Sequence, residues 1–478
     1  MTQSEAPLWS ALGEYRAKVR ARFHMPGHKG GGGAPGLLVE GLGRGALELD
    51  VTELEGLDDL HRPTGPIARA QALAAELFGS DHSFFLVNGA SAGLVAALLA
   101  TCSAGAKVIL PRHSHRSVVT GLVLGDLWPI WVDVRLQAEF DIAVGCEPRA
   151  LLTAIETAPD DARAVVLQRP TYEGVIEDIE RAVRLAHERD MVVIVDEAHG
   201  THLSLDPDLP PSALEMGADV VVNSLHKTVG GLTQTAMLHV QGPRVDVERV
   251  RLALSMVQST SPSYLLMSSI DLLRRELALE WPRMVEEARR AASQVRRLFG
   301  QRFRLLEARD LPAGCELDYT KVLVLTGSGF RLRDSLARAG VFVEYARPRT
   351  VLLIVTYGDG TQDLSPLRRA LDALPGDSGA PVPDVPYGRG EVLLSPRRAF
   401  EAATKDVPLR RAAGEISWAG IALYPPGAYA VLPGQVITPD DVEALWRCLE
   451  AGWSAHGILT TGGEPRVRVV RGEDCCPR

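Results

Sequence analysis

One residue that could do chemistry is a lysine that follows a short apolar run. The run Val220–Val222 reads as a buried strand, and it continues as Asn223-Ser224-Leu225-His226-Lys227-Thr228. Lysine is seldom buried, so a lysine at a strand end is either a charge on a surface loop or a reactive amine. A lysine at such a position is more often the surface charge. Whether Lys227 is a reactive amine therefore depends on other parts of the chain.

An aspartate closes another apolar run upstream of this lysine. Residues Val192–Val195 are followed by Asp196-Glu197-Ala198-His199-Gly200. A carboxylate at the end of a buried strand is costly to desolvate unless it meets a cation or a hydrogen-bond donor, and a protonated pyridine nitrogen would be such a partner. The first four of these residues also match a box of nucleotide-hydrolysing helicases. That reading needs an upstream Gly-x4-Gly-Lys-Ser/Thr loop, which the sequence lacks.

A glycine-containing turn after a third apolar run could bind a phosphate. The run Phe84–Val87 continues as Asn88-Gly89-Ala90-Ser91-Ala92-Gly93 and then as an apolar helix. Glycines and a hydroxyl at a helix N-terminus offer backbone N–H groups and the positive end of the helix dipole, which suit an anion. Two other readings stay open: Ser91 as a plain N-cap, and Gly-x-Ser-x-Gly as the nucleophile elbow of a hydrolase.

Together the three segments predict a site for pyridoxal 5′-phosphate (PLP). This cofactor needs an anion cradle, an acid for its ring nitrogen and a lysine for a Schiff base. The competing hypothesis is a serine hydrolase that uses Ser91, Asp196 and His226, with Gly30–Gly33 as the oxyanion loop. Because that hypothesis leaves Lys227 without a role, the PLP site is the stronger prediction.

Alternating strands and helices have to position these segments. Between Arg62 and Val240 short apolar runs alternate with amphipathic stretches, which predicts an α/β fold with a mostly parallel sheet between helices. The predicted strands are Phe84–Val87, Lys107–Leu110, Ile130–Val134, Ala164–Leu167, Val192–Val195, Val220–Val222 and Ala236–Val240. Helices are predicted at Ala92–Thr101, at Ile179–Arg189 and within 245–299.

The predicted organisation has three parts. An N-terminal arm with a Gly-rich loop spans 1–61, a large PLP-binding domain spans 62–295, and a smaller C-terminal α/β region spans 296–478. Strands are predicted in the C-terminal region at Lys321–Thr326 and Val351–Thr356. A Pro/Gly-rich linker is predicted around 374–390.

Composition argues against several classes of function. The 478 residues carry a formal net charge of −9, so a nucleic acid or an anionic membrane is a poor partner. No apolar run reaches the roughly 18 residues of a membrane span, and the N-terminus has no signal-peptide core. The six cysteines, of which only Cys475–Cys476 are close in sequence, have neither a disulfide framework nor a zinc-ligand spacing. We expect a cytoplasmic protein without a metal.

The motifs, in this order, resemble the bacterial ornithine/lysine/arginine decarboxylase family, PLP-dependent enzymes of the aspartate-aminotransferase fold (fold type I). The matching segments cover most of the chain. They are Phe23-His24-Met25-Pro26-Gly27-His28-Lys29-Gly30-Gly31, Gly56-Leu57-Asp58-Asp59-Leu60-His61, Asp196-Glu197-Ala198-His199-Gly200, Ser224-x-His226-Lys227, Ser259-Thr260-Ser261-Pro262-Ser263-Tyr264 and Tyr424-Pro425-Pro426-Gly427. The sequence lacks the extra N-terminal wing of the long members, so it is similar to the short branch.

The resemblance implies roles for the matching residues. Lys227 would bind PLP covalently, and Asp196 would hold the pyridine nitrogen protonated. The other residues expected at the cofactor, with His115 stacked on its ring, are Ala90, Ser91, Ala92, His115, Ala198, His199, Ser224 and His226. Thr260 and Ser261 would reach the site of a neighbouring subunit, which implies a homodimer with shared active sites and leaves higher oligomers open.

The implied reaction is the decarboxylation of a basic L-amino acid (arginine, lysine or ornithine) to its amine and CO2, a step of polyamine synthesis. Lys227 or His226 would return a proton to the substrate carbon after CO2 leaves. The nearest alternative is an aminotransferase or oxidase type of PLP reaction on a similar amino acid, because this fold hosts many reactions. A PLP-binding protein without turnover is a further alternative, and the hydrolase is a remote one.

One segment departs from the family pattern. Where the family has Ile-Pro and then Pro-Gly-Glu, this sequence has Ala428-Tyr429 and Pro433-Gly434-Gln435. An amide in place of a carboxylate still hydrogen-bonds but no longer neutralises a cation. Gln435 and Glu344 are therefore the substrate-binding candidates, with Asp58-Asp59 as further acidic candidates, and the identity of the amino acid stays open.

Overall fold

The computed structural model describes residues 2–374, 388, 390–424 and 428–472. Most of the predicted linker at 374–390 lies outside these residues, as do Pro425-Pro426-Gly427 and the pair Cys475–Cys476. The chain divides into two compact units, one made of Met1–Thr101 with Ile194–Val285 and the other of Cys102–Val193 with Glu286–Arg478. The predicted boundaries after residues 61 and 295 divide the chain differently and stay predictions.

Helices occur along the whole described chain. They are α1 (Pro7–Lys18), α2 (Gly36–Leu42), α3 (Arg44–Leu49), α4 (Pro66–Phe78), α5 (Gly89–Thr101), α6 (Arg116–Gly125), α7 (Pro148–Glu156), α8 (Glu180–Glu188), α9 (Leu225–Thr228), α10 (Val247–Val257), α11 (Tyr264–Gly300), α12 (Gly329–Arg338), α13 (Ser365–Asp372), α14 (Pro396–Glu401) and α15 (Pro439–Glu450). Short 3-10 turns lie at Lys29–Gly31, Ala308–Asp310, Tyr357–Thr361 and Leu409–Arg411.

The strands confirm the alternating pattern. They are β1 (His82–Leu86), β2 (Lys107–Pro111), β3 (Trp128–Val132), β4 (Val134–Gln137), β5 (Ile142–Cys146), β6 (Ala162–Gln168), β7 (Val175–Glu177), β8 (Val192–Asp196), β9 (Val220–Ser224), β10 (Ala236–Val240), β11 (Arg304–Leu305), β12 (Cys315–Leu317), β13 (Lys321–Leu325), β14 (Tyr345–Ala346), β15 (Thr350–Ile354), β16 (Thr404–Pro408), β17 (Ile421–Tyr424), β18 (Ala428–Val431), β19 (Ser454–His456), β20 (Ile458–Thr461) and β21 (Glu464–Val470). Every predicted strand is present, with ends displaced by at most two residues.

In the first unit, strands lie side by side in the order β1-β10-β9-β8. β10 runs antiparallel to both β1 and β9, and β9 runs parallel to β8. Strands β1, β8 and β9 therefore share one direction, so their carboxyl ends lie at the same edge. The apolar runs that form them are buried along almost their whole length, as expected for a sheet covered on both faces.

Helix α5 packs on this sheet and begins at the edge where β1 ends. It contacts β9 and β10 and is buried on most of its surface. A Cβ atom at Gly93 would lie 2.7 Å from Leu86 Cδ1 and 3.0 Å from Val222 Cγ1. The last glycine of the Gly-x-Ser-x-Gly pattern is thus required by close helix–strand packing.

The second unit contains parallel and antiparallel sheets. Strand β2 lies between β6 and β3 and runs parallel to both. The remaining strands pair antiparallel, in the groups β4-β5, β12-β7, β11-β13-β15-β14, β16-β21-β20 and β18-β17-β19. Separate apolar cores form around Phe299 and Leu336 and around Val431 and Leu445. Within the described residues, no helix has the length and apolar composition needed to cross a membrane.

Candidate active site

Three segments predicted to do chemistry meet at one edge of the sheet in the first unit. Asp196 is the last residue of β8 and pairs with Val222 of β9. The register pairs Leu86 with Ala236 and Ala236 with Ser224, so the ends of β1 and β9 are level. The loop into α5, the Asp196 carboxylate and the segment that carries Lys227 therefore all follow strand ends at this edge.

The amine of Lys227 contacts the imidazole of His199. Nζ of Lys227 lies 3.1 Å from Nε2 of His199, across 28 residues of sequence. His199 is only 3% exposed, whereas Lys227 is partly exposed in the short helix α9. The partly exposed lysine side chain thus contacts a buried polar partner.

His226, next to this lysine, has a defined tautomer. Its Nδ1 donates a hydrogen bond to the carbonyl oxygen of Thr235 at 3.1 Å, because a carbonyl can only accept. Burial lowers the pKa of His226, the bond to Thr235 raises it, and the charge of Lys227 lowers it, with a net lowering. The environment therefore favours the neutral imidazole, in which Nδ1 carries the hydrogen and Nε2 can accept a proton.

The acidic pair after β8 has two different roles. Asp196 is 5% exposed, and its Oδ1 accepts the backbone N–H of Ala198 at 3.2 Å. Glu197 is buried, and its Oε1 accepts the N–H of Ala213 at 2.8 Å while its carbonyl accepts from Asn223 Nδ2 at 3.1 Å. Glu197 therefore stabilises the turn after β8, whereas the Asp196 carboxylate lies at the edge of the sheet.

Helix α5 presents its N-terminus at the same edge. Gly89 has a φ of +75°, and its N–H donates to the carbonyl of Gln234 at 3.0 Å. Ala90 and Ala92 are buried, whereas Ser91 is exposed. The first N–H groups of an α-helix have no partner inside the helix, so this end can bind an anion.

These groups fit PLP. The cofactor carries a phosphate, an aldehyde and a ring nitrogen, and the edge supplies a helix N-terminus, a primary amine and a carboxylate in one unit. Ser224 is 1% exposed, and its carbonyl accepts from Thr201 Oγ1 at 3.0 Å, which ties the end of β9 to the turn after β8. No group of three or more His, Cys, Asp or Glu in the described part of the chain could hold a metal ion.

The geometry of a serine hydrolase is not formed. Among the described residues, Ser91 makes no hydrogen bond to His226 or Asp196, and Nδ1 of His226 is bound to a backbone carbonyl instead of a carboxylate. The glycine pattern around Ser91 is explained by the φ angle of Gly89 and by the packing of Gly93.

Asp58, noted as an acidic candidate for the substrate, is a structural residue. It has a φ of +76°, and its Oδ1 accepts the N–H groups of Asp59 and Thr64. Its Oδ2 accepts those of Gly65, Ile67 and Ala68 at 2.7 to 3.3 Å. These bonds satisfy the start of α4, and the sequence signal that could have revealed them is the position of Asp58 shortly before Pro66 at the start of that helix.

Thr260 and Ser261 lie in an exposed loop between α10 and α11. The loop is tied to its own chain, because Ser259 accepts from His61 Nε2 at 2.8 Å and donates its N–H to Asn88 Oδ1 at 3.4 Å. Their predicted contact with a neighbouring subunit stays a prediction. Gln258, which the sequence analysis missed, accepts the N–H of Val87 at 2.9 Å and so links the loop after α10 to the end of β1.

His115 belongs to the second unit. It is the N-cap of α6, directly after β2, and its Nδ1 lies 2.7 Å from Ser117 Oγ and accepts the Ser117 N–H at 3.3 Å. The imidazole is thereby held with Nδ1 toward its own helix. Its predicted stacking on the cofactor ring stays a prediction.

The two substrate candidates in the second unit differ in exposure. Glu344 is exposed and accepts a hydrogen bond from the Tyr172 hydroxyl. Gln435 is fully buried, its Oε1 accepts the N–H of Leu432 at 3.1 Å, and its Nε2 lies against Gly388 and Gly390. The predicted substrate contacts of Glu344 and Gln435 stay predictions.

Comparison with known proteins also points to a decarboxylase family. The family model for the Orn/Lys/Arg decarboxylase major domain matches residues 6–310. A protein of Bacillus subtilis (strain 168) named arginine decarboxylase is 36% identical over 477 residues, which cover 96% of this chain and 96% of the relative.

Solved structures establish the fold. The structure of the Escherichia coli constitutive lysine decarboxylase aligns with a TM-score of 0.83 at 20% identity and covers 98% of this chain and 82% of that one. A structure of SPT with PLP internal aldimine aligns with a TM-score of 0.51 at 16% identity, over 77% and 82% of the two chains. The predicted α/β fold of PLP fold type I is confirmed. The chain belongs to the Orn/Lys/Arg decarboxylase family, as its motifs predicted.

Proposed function

We propose that the chain is a PLP-dependent decarboxylase of arginine. The observation that carries the proposal is the meeting of a helix N-terminus, a carboxylate and a lysine at one sheet edge of a family member. Arginine is favoured over lysine and ornithine because a relative similar over 96% of both chains bears the name arginine decarboxylase.

The residues of the first unit would hold the cofactor in the following way. The N-terminus of α5, at Ala90, Ser91 and Ala92, would bind the phosphate together with Ser224 and His226. Asp196 would keep the ring nitrogen protonated, and Lys227 would carry the covalent link. When bound, PLP supplies an electron sink that accepts the electron pair of the bond to the departing carboxylate.

The chain's own groups have to move protons during this reaction. Lys227 must be a neutral amine to bind the cofactor and must return a proton to the substrate carbon after CO2 leaves. His226 is a second candidate for that role: its Nδ1–H is committed to Thr235, so Nε2 would have to take up a proton first and then deliver it. Glu344 is our candidate for the guanidinium group of arginine, because an exposed carboxylate can bind it through two parallel hydrogen bonds.

The proposal includes a homodimer with shared active sites and a cytoplasmic location. Thr260 and Ser261 support the dimer, since both are exposed on the loop that borders Asn88. Cross-linking or light scattering of the purified protein measures the assembly.

The experiment is an assay of the full chain with PLP and, separately, arginine, lysine and ornithine. Product amines are identified by mass spectrometry while CO2 is measured. We expect agmatine and an equal amount of CO2 from arginine, with much less amine from the other two. An amine from lysine or ornithine alone would contradict the choice of substrate, and the absence of both CO2 and amine with all three would contradict the reaction.

A further inference from the structure

The contact between Lys227 and His199 carries an inference beyond cofactor binding. An ammonium group at Nζ can only donate, so Nε2 of His199 must then lack a hydrogen. If Nζ is instead a neutral amine, a hydrogen on Nε2 can be donated to it. In both arrangements one hydrogen lies between the two nitrogens at 3.1 Å.

The backbone next to His199 is hydrogen-bonded on its C-terminal side. The N–H of Gly200 donates to the carbonyl of Glu197 and that of Leu203 to the carbonyl of Gly200, both at 2.9 Å. The Glu197 carboxylate is held by the N–H of Ala213. The His199 imidazole is therefore carried by a hydrogen-bonded segment and is buried, whereas Lys227 is partly exposed.

Three other titratable side chains at this edge each make a hydrogen bond of their own. Asp196 accepts the N–H of Ala198, Glu197 accepts that of Ala213, and His226 donates to Thr235. His199 makes a direct contact with Nζ of Lys227.

We propose that His199 is a positioning residue that accepts the hydrogen bond of the Lys227 ammonium and takes up its proton when the lysine must act as a neutral amine. The same proton returns to Lys227 when the lysine has to deliver it. His199 thus acts through Lys227: each transfer between the two side chains breaks one N–H bond and forms another, and the C–H bond to the substrate is formed by Lys227. This inference rests on the proposed function for its catalytic consequence, whereas the contact itself can be measured without any turnover.

The first measurement uses the full chain without cofactor. The sequence has six lysines, so acylation by an amine-specific reagent can be followed at each of them by peptide mass spectrometry over a pH series. His199→Phe keeps a ring but removes the acceptor, and His199→Gln keeps an acceptor that cannot take a proton. His239→Phe is the control for removing a buried histidine, since His239 bonds Ser83 and not Lys227. Lys107, paired with Asp161, is the internal reference lysine.

The labelling midpoint is the pH at which acylation of a lysine reaches half its maximal rate. We expect the midpoint of Lys227 to fall by about one pH unit in His199→Phe, because the ammonium group loses one hydrogen bond. At a pH below both midpoints this means about tenfold more labelling. The midpoint should stay near the wild-type value in His199→Gln and His239→Phe, and Lys107 should not change in any variant.

The second measurement is the turnover number for the cofactor-loaded protein with the substrate that the assay above identifies. His199→Phe and His199→Gln should both lose about 100-fold or more, as expected when a proton-transfer partner is removed. An unchanged Lys227 midpoint in His199→Phe overturns the proposal, and so does wild-type turnover in His199→Gln. If the wild type releases no CO2 the proposed function fails, but the labelling series still tests the contact.

Discussion

Asp271 and Arg274 form an ion pair of 3.1 Å in which both side chains are completely buried. Oδ2 of Asp271 also accepts the N–H groups of Leu8 and Trp9 at 2.9 and 3.3 Å, and Arg274 donates to the carbonyl of Gln3 at 2.7 Å. The pair thus fastens helix α1 to α11. Asp271→Ala should lower the free energy of unfolding by about 3–5 kcal/mol, because it leaves a buried guanidinium without its counter-charge.

Urea denaturation measures this change, with Glu401→Ala as the control. Glu401 pairs with Arg397 at 2.9 Å on an exposed helix surface, and such pairs contribute about 0.5 kcal/mol or less. Equal effects of the two substitutions would contradict the anchoring role of Asp271.

Asp58→Ala should destabilise the protein without changing substrate affinity. Its carboxylate accepts five backbone N–H groups, and their loss should lower the free energy of unfolding by about 2–4 kcal/mol. Asp59→Ala is the matched control, since Oδ1 of Asp59 accepts a single N–H, from His61. A rise in KM at unchanged stability would show instead that Asp58 binds the substrate.

Gly93→Ala should disturb the packing of helix α5 on the sheet. The added methyl would meet Leu86 and Val222 at 2.7 and 3.0 Å, so we expect a loss of about 1–3 kcal/mol in stability and a weaker affinity for PLP. The control is Gly41→Ala in α2, where a Cβ has nothing within 4 Å and should be neutral or slightly stabilising. Thermal unfolding and PLP titration of both variants measure the difference. Unchanged values for Gly93→Ala would mean that α5 does not need the glycine.

The buried carboxyl group of Glu177 should make the stability of the protein depend on pH. Burial raises its pKa from an ordinary value of 4.5 to about 7. The folded state therefore binds more protons than the unfolded state between these pH values, and the free energy of unfolding should fall by about 3 kcal/mol as the pH rises from about 4.5 to 7.

Glu177→Gln removes this titration, so its stability should fall less over the same pH range. Glu316→Gln, on the neighbouring strand β12 with an exposed side chain, should keep the wild-type slope. Denaturant unfolding at a series of pH values compares the three proteins. A wild-type slope in Glu177→Gln would rule out Glu177 as the source.

The sequence was sufficient to predict the strands and the three segments at the sheet edge. Each buried strand is a continuous apolar run, and residues such as Asp196 and Lys227 interrupt that pattern at the point where a parallel strand ends. The strand directions and the register, which the structure supplies, then bring these ends to one edge.

Contacts between side chains could not be predicted in the same way. Lys227 and His199 are 28 residues apart, and no periodicity relates them. The carboxylate of Asp58 accepts backbone N–H groups at the start of α4, and Gln435 is buried against two glycines, and neither contact can be read from residue type. Residue type indicates what a side chain can bind, whereas the local backbone decides what it reaches.

The most direct test of the central claim is to locate the cofactor. The full chain is loaded with PLP, reduced with borohydride, digested and mapped by mass spectrometry, with Lys227→Ala as the control. We predict that the pyridoxyl group is found on Lys227 among the six lysines, and that Lys227→Ala loses both this label and the release of CO2 from arginine. A label on another lysine, or decarboxylation that persists in Lys227→Ala, would contradict the account.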